Sequence, residues 1–220
     1  MRKIHIIACK VMQRELEYFR EPGITYCFLE QALHDTPDRM PEVVQRAIDD
    51  VDHDPSCIVL GYGCCCNGVV GVYSSRAPLV IPRVDDCISL FLGSYQRYRQ
   101  FFWQEPGTYY MTGGWVTEAK DPLGTYQKYC QKWGEPTARW LIRETFKNYR
   151  RLILIDTGVY DIEPYRRRAI DNAEFLGLTY EEIRGSLGLF EKISRGRFDD
   201  EFISLKQGEP VTQSMFLAER

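Results

Sequence analysis

Short apolar runs that alternate with helical stretches constrain this 220-residue chain more than any other feature. Residues 3–11, 24–30, 57–63 and 78–83 are each dominated by β-branched, aromatic or other apolar side chains and read as short strands. Between the first two, Met12, Leu16 and Phe19 fall at helical spacing before Pro22-Gly23 stops the run. Between the next two, Pro41 suits a first helical turn, and Val43, Val44, Ala47, Ile48 and Val51 share one face. Strands joined by helical crossovers predict an α/β fold: a mainly parallel sheet with flanking helices, Rossmann-like and three-layered. After Arg83, Asp85 or Asp86 caps a helix through Cys87, Ile88, Phe91 and Leu92, and Gly93 ends it. Further on, Tyr126 to Tyr149 reads as helical with a break at Gly134-Glu135-Pro136, and residues 151–158 read as another strand. Residues 164–176 read as a helix, Tyr180 to Ser194 as one or two short helices, and 202–205 as a last strand.

Apolar residues make up 44% of the chain and aromatics 13%, enough for a core that buries roughly 70% of the unfolded surface. Disorder is therefore excluded. With no internal repeat and no linker-like tract, residues 1–220 are read as a single α/β domain. A net charge of −3 argues against a general nucleic-acid binder. No apolar run approaches the ~18–20 residues of a membrane span, and the N-terminus reads as a first strand rather than a signal peptide. The expectation is a cytoplasmic protein with neither membrane nor nucleic acid as partner. Residues 94–115 change character: Tyr95, Tyr98, Phe101, Phe102, Trp103, Tyr109, Tyr110 and Trp115 cluster between Pro106-Gly107 and Gly113-Gly114. That stretch reads as an aromatic-rich insertion or lid over the sheet, and as a second small core in the plainer reading.

In an open α/β sheet, ligands sit beyond the carboxyl ends of the strands. The residues there are Cys9, His34, Cys64-Cys65-Cys66-Asn67-Gly68, Arg83 to Cys87, and Asp156-Thr157-Gly158. Eight cysteines in a chain of this class point to core packing, metal or chemistry rather than a disulfide framework. Three of the eight are consecutive. Thiols drawn from separate loops are how a fold builds a soft-metal site for zinc or an iron–sulfur cluster. Cys9, one of Cys64 to Cys66, and Cys87 supply three ligands, although no paired Cys-x-x-Cys is present. The plainer reading makes Cys9 and Cys87 small core residues, as it does Cys27, Cys57 and Cys130.

Gly63, Asn67 and Gly68 form a strand-to-helix turn suited to an anionic cofactor group, without matching either nucleotide-binding glycine motif. Arg83, Asp85 and Asp86 are placed to orient a substrate; a helix cap plus a surface arginine is the alternative. His34 and Asp35 read as ligand and orienter, or as a loop cap. Glu15, one turn into the first helix, faces either the same cavity or solvent. Tyr109, Tyr110 and Trp115 wall a pocket for a flat or methylated ligand, or simply pack. A redox thiol pair within the triplet is disfavoured by the geometry a disulfide demands.

Several stretches together carry a family resemblance. They are Ala8-Cys9 with Glu15-Leu16, Leu33-His34-Asp35-Thr36-Pro37, Gly61-Tyr62-Gly63 with Cys65 and Asn67-Gly68, Pro82-Arg83 with Asp86-Cys87-Ile88, Leu92-Gly93-Ser94, and Pro106-Gly107-Thr108-Tyr109-Tyr110. The sequence resembles the DUF1638 family, a domain of unknown function from methanogenic archaea and anaerobic bacteria. The resemblance implies metal ligands at Cys9, Cys65 and Cys87, with His34 or Asp85 near an open position. Many relatives carry histidine where this chain has Asp85, and simpler residues at Cys64 and Cys66. Family members often occur beside corrinoid-dependent methyl-transfer systems, which implies one-carbon metabolism. The expected activity is that of a metal-dependent (zinc or iron–sulfur) protein, with His34, Arg83, Asp86 and Tyr109 as catalytic candidates. Gly63, Asn67, Gly68 and Trp115 are then the cofactor-binding candidates, and a corrinoid is a candidate cofactor. Two alternatives stand beside it: a non-catalytic metal or corrinoid carrier that docks with a methyltransferase, and a metal-free thiol redox protein.

Overall fold

Parallel pairing organises all but one of the strand pairs among the described residues. A computed structural model describes residues 3–30, 37–65 and 67–217. The chain divides into two compact units, one of Met1–Tyr95 with Ser186–Arg220 and one of Gln96–Gly185.

In the first unit, β1 (Ile4–Cys9), β2 (Ile24–Leu29), β3 (Cys57–Gly61), β4 (Leu79–Pro82) and β8 (Phe202–Leu205) form a sheet in the order β2-β1-β3-β4-β8. The first four strands pair parallel, and β8 closes the edge antiparallel to β4. β1, β3 and β4 are buried along their whole length, as the near-continuous apolar runs demand of strands covered on both faces. Helices α1 (Gln13–Glu17), α2 (Met40–Asp49), α3 (Ile88–Leu92) and α9 (Gly188–Arg195) flank the sheet. The amphipathic α2 turns Met40, Val44 and Ile48 inward, while Phe91 of α3 meets Phe190 of α9 edge-on at 5.2 Å. Helix α3 begins as expected: Asp86 Oδ1 accepts from the Ile88 N–H at 2.9 Å, and Gly93 ends it at φ +86°. The α/β, mainly parallel, Rossmann-like architecture is thus present.

The second unit departs from the sequence reading. Its helices are α4 (Tyr95–Gln104), α5 (Gly113–Thr117), α6 (Pro122–Trp133), α7 (Glu135–Phe146) and α8 (Glu163–Leu176). They accompany a separate parallel sheet of β5 (Thr108–Met111), β6 (Arg151–Asp156) and β7 (Thr179–Arg184), in the order β5-β6-β7. Residues 94–115 therefore contain a helix, a strand and a second short helix rather than an irregular cover. The strand read over 151–158 is the central strand of this second sheet and does not join the edge that carries Cys9. Residues 179–184, read as helical, form a strand whose Glu181 and Glu182 are held by Arg151 and Arg166. Helix α10 (Ser214–Leu217) ends the described chain.

The second core is compact: Met111, Leu152, Leu154, Ala169 and Ala173 are buried, with Tyr109, Val116 and Leu178 packed against them. A polar clamp joins α6 to α8. Buried Asp121 caps α6 by accepting from the Gly124 N–H at 3.1 Å, and its Oδ1 also pairs with Arg168 Nη2 at 2.9 Å. Asn172 donates to the same carboxylate at 3.0 Å and accepts from the Leu123 N–H at 2.8 Å.

Candidate functional site

The first sheet reverses its direction of winding at β1, with β2 on one side and β3 then β4 on the other. The crevice at such a switch point, beyond the carboxyl ends of β1 and β3, is where α/β sheets take ligands. Cys9 ends β1 there and is fully buried. After β3 the chain runs Tyr62-Gly63-Cys64-Cys65 alongside the loop after β4. Cys64 N–H donates to Val84 O and Cys65 N–H to Asp85 O, both at 2.9 Å. That close apposition requires glycine at position 63, where a Cβ would lie 2.7 Å from Val84 O and 2.8 Å from Asp86 N. Cys65 and Asn67 then take left-handed backbones, φ +44° and +68°, a conformation uncommon for cysteine and tolerated by asparagine. Cys65 O accepts from the Gly68 N–H at 3.0 Å to close the turn. Cys87, immediately before α3, is buried as well.

Cys9, Cys65 and Cys87 stand within electrostatic reach of one another. Burial pushes the Cys65 thiol well above its ordinary range, and Asp86 and Cys9 push it further. Burial also raises Cys87, with Cys65, Asp86 and Cys9 adding to it. These are neutral thiols rather than thiolates. Tyr62 lies among them. Its ring is 1% exposed, and its hydroxyl has no hydrogen-bond partner among the described residues. Burial raises its pKa, and Cys9, Cys65, Cys27 and Cys87 reinforce the shift. An unpartnered buried hydroxyl is expensive, of order 1–3 kcal/mol, so its place among thiols needs a reason. Among the described residues, no three His, Cys, Asp or Glu side chains are gathered closely enough to hold a metal ion.

The other sequence candidates divide. Gly63, Asn67, Gly68 and Asp86 all belong to this edge, and Cys64 Sγ reaches Asn67 Oδ1 at 3.4 Å. Arg83 Nη1 donates to Met215 O at 3.4 Å and its backbone N–H to Glu201 O at 2.8 Å, while its Nε is buried with no partner among the described residues. Glu15, for which solvent was the plainer expectation, is fully buried. Tyr109 and Trp115 are in the second unit, where Tyr109 packs edge-on against Phe146 and Tyr149 at 5.2 and 5.5 Å. His34, Asp35 and Cys66 lie outside the described residues.

Sequence reasoning gives Tyr62 no role beyond its place in the Gly61-Tyr62-Gly63 stretch. It also missed a polar chain at the opposite end of the first sheet. His5 Nδ1 lies 2.8 Å from Thr25 Oγ1, His53 Nε2 lies 3.1 Å from the same oxygen, and His53 Nδ1 lies 3.1 Å from Asp52 Oδ1. The parallel register sets His5 directly beside Thr25. The available signal was a histidine inside an otherwise apolar strand.

A family model described as a protein of unknown function, DUF1638, matches residues 28–194, which is 167 of the 220 positions. The chain belongs to the DUF1638 family. Nothing matches among the curated proteins or the solved structures. The DUF1638 match takes in the turn after β3, the loop after β4 and all of the second unit, while Cys9 precedes it. Among the described residues, no helix is long and apolar enough to cross a membrane.

Proposed function

We propose that this DUF1638 protein is a metal-dependent protein of anaerobic one-carbon metabolism, acting in the cytoplasm. In this reading Cys9, Cys65 and Cys87 hold zinc or an iron–sulfur cluster at the carboxyl edge of the first sheet. The observation that carries it is the burial of three thiols, each following a different parallel strand, at the winding reversal of the sheet. The donor chemistry fits, since soft metals select sulfur ligands. Uptake then includes a closing of the edge, because no three donors are gathered about one point beforehand. Three protein ligands leave a fourth position, for which His34 and Asp85 are the candidates. Bound zinc would supply Lewis acidity for a substrate thiol in methyl transfer, whereas a cluster would supply electrons.

The chain's own contribution is arrangement. The left-handed turn at Cys65 presents its thiol, the Asp86 cap fixes the start of α3 next to Cys87, and the buried walls exclude water. The Tyr62 hydroxyl donates a hydrogen bond to a sulfur or to the ligand, which accounts for its otherwise unpartnered burial. Substrate and partner in this reading are a small methyl donor and a corrinoid protein.

The second reading is a non-catalytic metal or corrinoid carrier that docks with a methyltransferase. What favours it is the exposure of Trp103 at 68%, Trp140 at 61% and Trp133 at 45% on the second unit, as a docking surface would require. A metal-free redox role fits less well, because reactive thiols have lowered pKa values and access to solvent.

Metal analysis of anaerobically purified protein separates these. Stoichiometric zinc, or iron with sulfide, is expected in the parent chain, with loss in Cys9→Ser, Cys65→Ser and Cys87→Ser. Cys64→Ser, Cys57→Ser and Cys130→Ser should keep their metal. Full occupancy in the first three variants, or no metal in the parent, overturns the assignment.

A further inference from the structure

Helix α7 carries Arg139, Arg143 and Lys147 at successive four-residue steps, the last just past its end. Like charges at that spacing repel and weaken a helix by a few tenths of a kcal/mol per pair. All three line one cavity of about 360 Å³ in the second unit, together with Arg150, and no acidic residue lines it. A volume of that size falls in the range of small-molecule sites.

Part of the positive charge has a local explanation. Arg139 pairs with Glu135 and Lys147 with Glu144, each at 2.7 Å. Arg150 Nη1 donates to Lys147 O and Tyr149 O, both at 3.1 Å, and so satisfies carbonyls just beyond the end of α7. Arg143 is different: among the described residues it has no ion pair and no hydrogen-bond partner. It lies in the last turn of α7, where its charge also complements the carbonyl end of the helix. Exposed arginines are often unpaired, so the cation alone decides little. The aromatic part of the cavity lining supplies the second observation.

Its rings are braced. Phe146 and Tyr149 are held edge-on by Tyr109, and Phe175 packs on Tyr126 with ring centroids 5.1 Å apart. Gly177, at the end of α8, also lines the cavity, and there a Cβ would meet nothing within 4 Å, so that side stands open. Guanidinium groups and braced rings lining one cavity match a ligand with a charged end and a flat body.

We propose that this cavity binds an organic anion, a phosphate or carboxylate joined to an aromatic body, with the anionic group on Arg143 and Arg139 and the body against Phe146 and Phe175. The site is independent of the thiol edge and of any metal there.

Direct titration of the full chain at constant ionic strength tests this with four probes: 1-naphthyl phosphate, 1-naphthoate, 1-naphthylmethanol and inorganic phosphate. The two naphthyl anions should bind at least ten-fold more tightly than the neutral alcohol or inorganic phosphate, and the tighter of the two names the anionic group. Arg143→Gln should weaken the better anion about ten-fold, Arg143→Lys should weaken it less, and Cys65→Ser should leave it unchanged. Arg143 is exposed, so neither arginine variant threatens folding. Failure of both naphthyl anions to bind at millimolar concentration overturns the proposal. So does equal binding of the alcohol, equal binding of inorganic phosphate, or indifference to Arg143→Gln.

Discussion

The two parallel sheets end their strands in opposite chemistries. At the carboxyl edge of the first sheet, Cys9, Tyr62, Cys65 and Cys87 are buried, and burial holds Tyr62, Cys65 and Cys87 neutral. At the carboxyl edge of the second, Asp156 pairs with the largely exposed Arg184 at 2.9 Å and accepts from the Gly158 N–H at 2.8 Å. The second edge is a set of satisfied charges that water reaches, and such pairs contribute little. The first keeps the unpartnered Tyr62 hydroxyl out of water among neutral thiols, and that hydroxyl is unfavourable there unless something occupies the crevice. Strand topology alone therefore does not mark a site. The buried Thr112 hydroxyl just after β5 also has no partner among the described residues, so what sets the first edge apart is its gathering of buried thiols about Tyr62.

All four tryptophans belong to the second unit, at positions 103, 115, 133 and 140, so their fluorescence reads that unit, while exposure of buried thiols to a thiol reagent reads the first. The largest expected effect is Gly63→Ala. Its Cβ would press on backbone atoms of Val84 and Asp86 that cannot swing aside. A loss of about 3 kcal/mol is expected for the first unit, seen as thiol exposure at lower urea concentration. An unchanged midpoint would mean the thiol edge is not built on that close approach.

The second unit is broken differently, through a polar group. Asp121→Ala removes the carboxylate that caps α6 and leaves the inner side of Arg168 and the Asn172 amide without their shared acceptor. Because Arg168 keeps partial contact with solvent, the expected loss is about 2 kcal/mol, below that of a fully buried pair. Tryptophan fluorescence in urea measures it. An effect below half of this would make the clamp ornamental and leave the apolar cluster around Leu152 and Leu154 as the whole support of that unit.

These contrasts mark how far the sequence could be read. Apolar runs and cap residues located β1 to β4, β8, α2 and α3, because each is specified locally by side-chain period and by Asp86 or Gly93. Local pattern does not say which sheet a strand joins. Residues 151–156 are as apolar as β1 and were assigned to the same edge, whereas their partners are β5 and β7. Strand β7 reads as helical because its partly buried Tyr180 and Ile183 are three residues apart, with two glutamates between them; the arginines that hold those glutamates come from β6 and α8. The strand-end cysteines were legible for the same reason that β1, β3 and β4 were. Tyr62 and the His5–Thr25–His53 chain were not, since what matters about them is lateral neighbours set by register and burial.

A smaller effect compares glycines across the two units. Gly177 ends α8 at φ +68°, but no atom lies within 4 Å of where a Cβ would go. Gly177→Ala therefore meets only left-handed backbone strain, about 1 kcal/mol, against about three times that at Gly63. Equal losses at the two positions would show that backbone conformation, not close approach, sets the requirement at the thiol edge.

The smallest effect is a pH dependence confined to the first unit. Burial lowers the His5 pKa below its ordinary 6.5, and His53 lowers it further, while the Asp52 carboxylate opposes both. Asp50, Arg46 and Cys27 complete the ionisable groups around that cleft, which holds about 270 Å³. The folded state thus resists a proton that the unfolded chain accepts. Stability is full above about pH 6.5 and falls as pH drops below it, until His5 protonates in the folded state as well. Asp52 contributes in a separate, more acidic window, because the His53 hydrogen bond lowers its pKa below the ordinary 3.8. Urea midpoints read by thiol exposure should therefore decline between pH 7.5 and 5.5 in the parent chain. The slope should flatten in His5→Gln, whose amide still reaches Thr25 but takes up no proton. A slope that survives this substitution would assign the titration to another group, and the polar chain at the amino edge would be a scaffold with no part in the pH response.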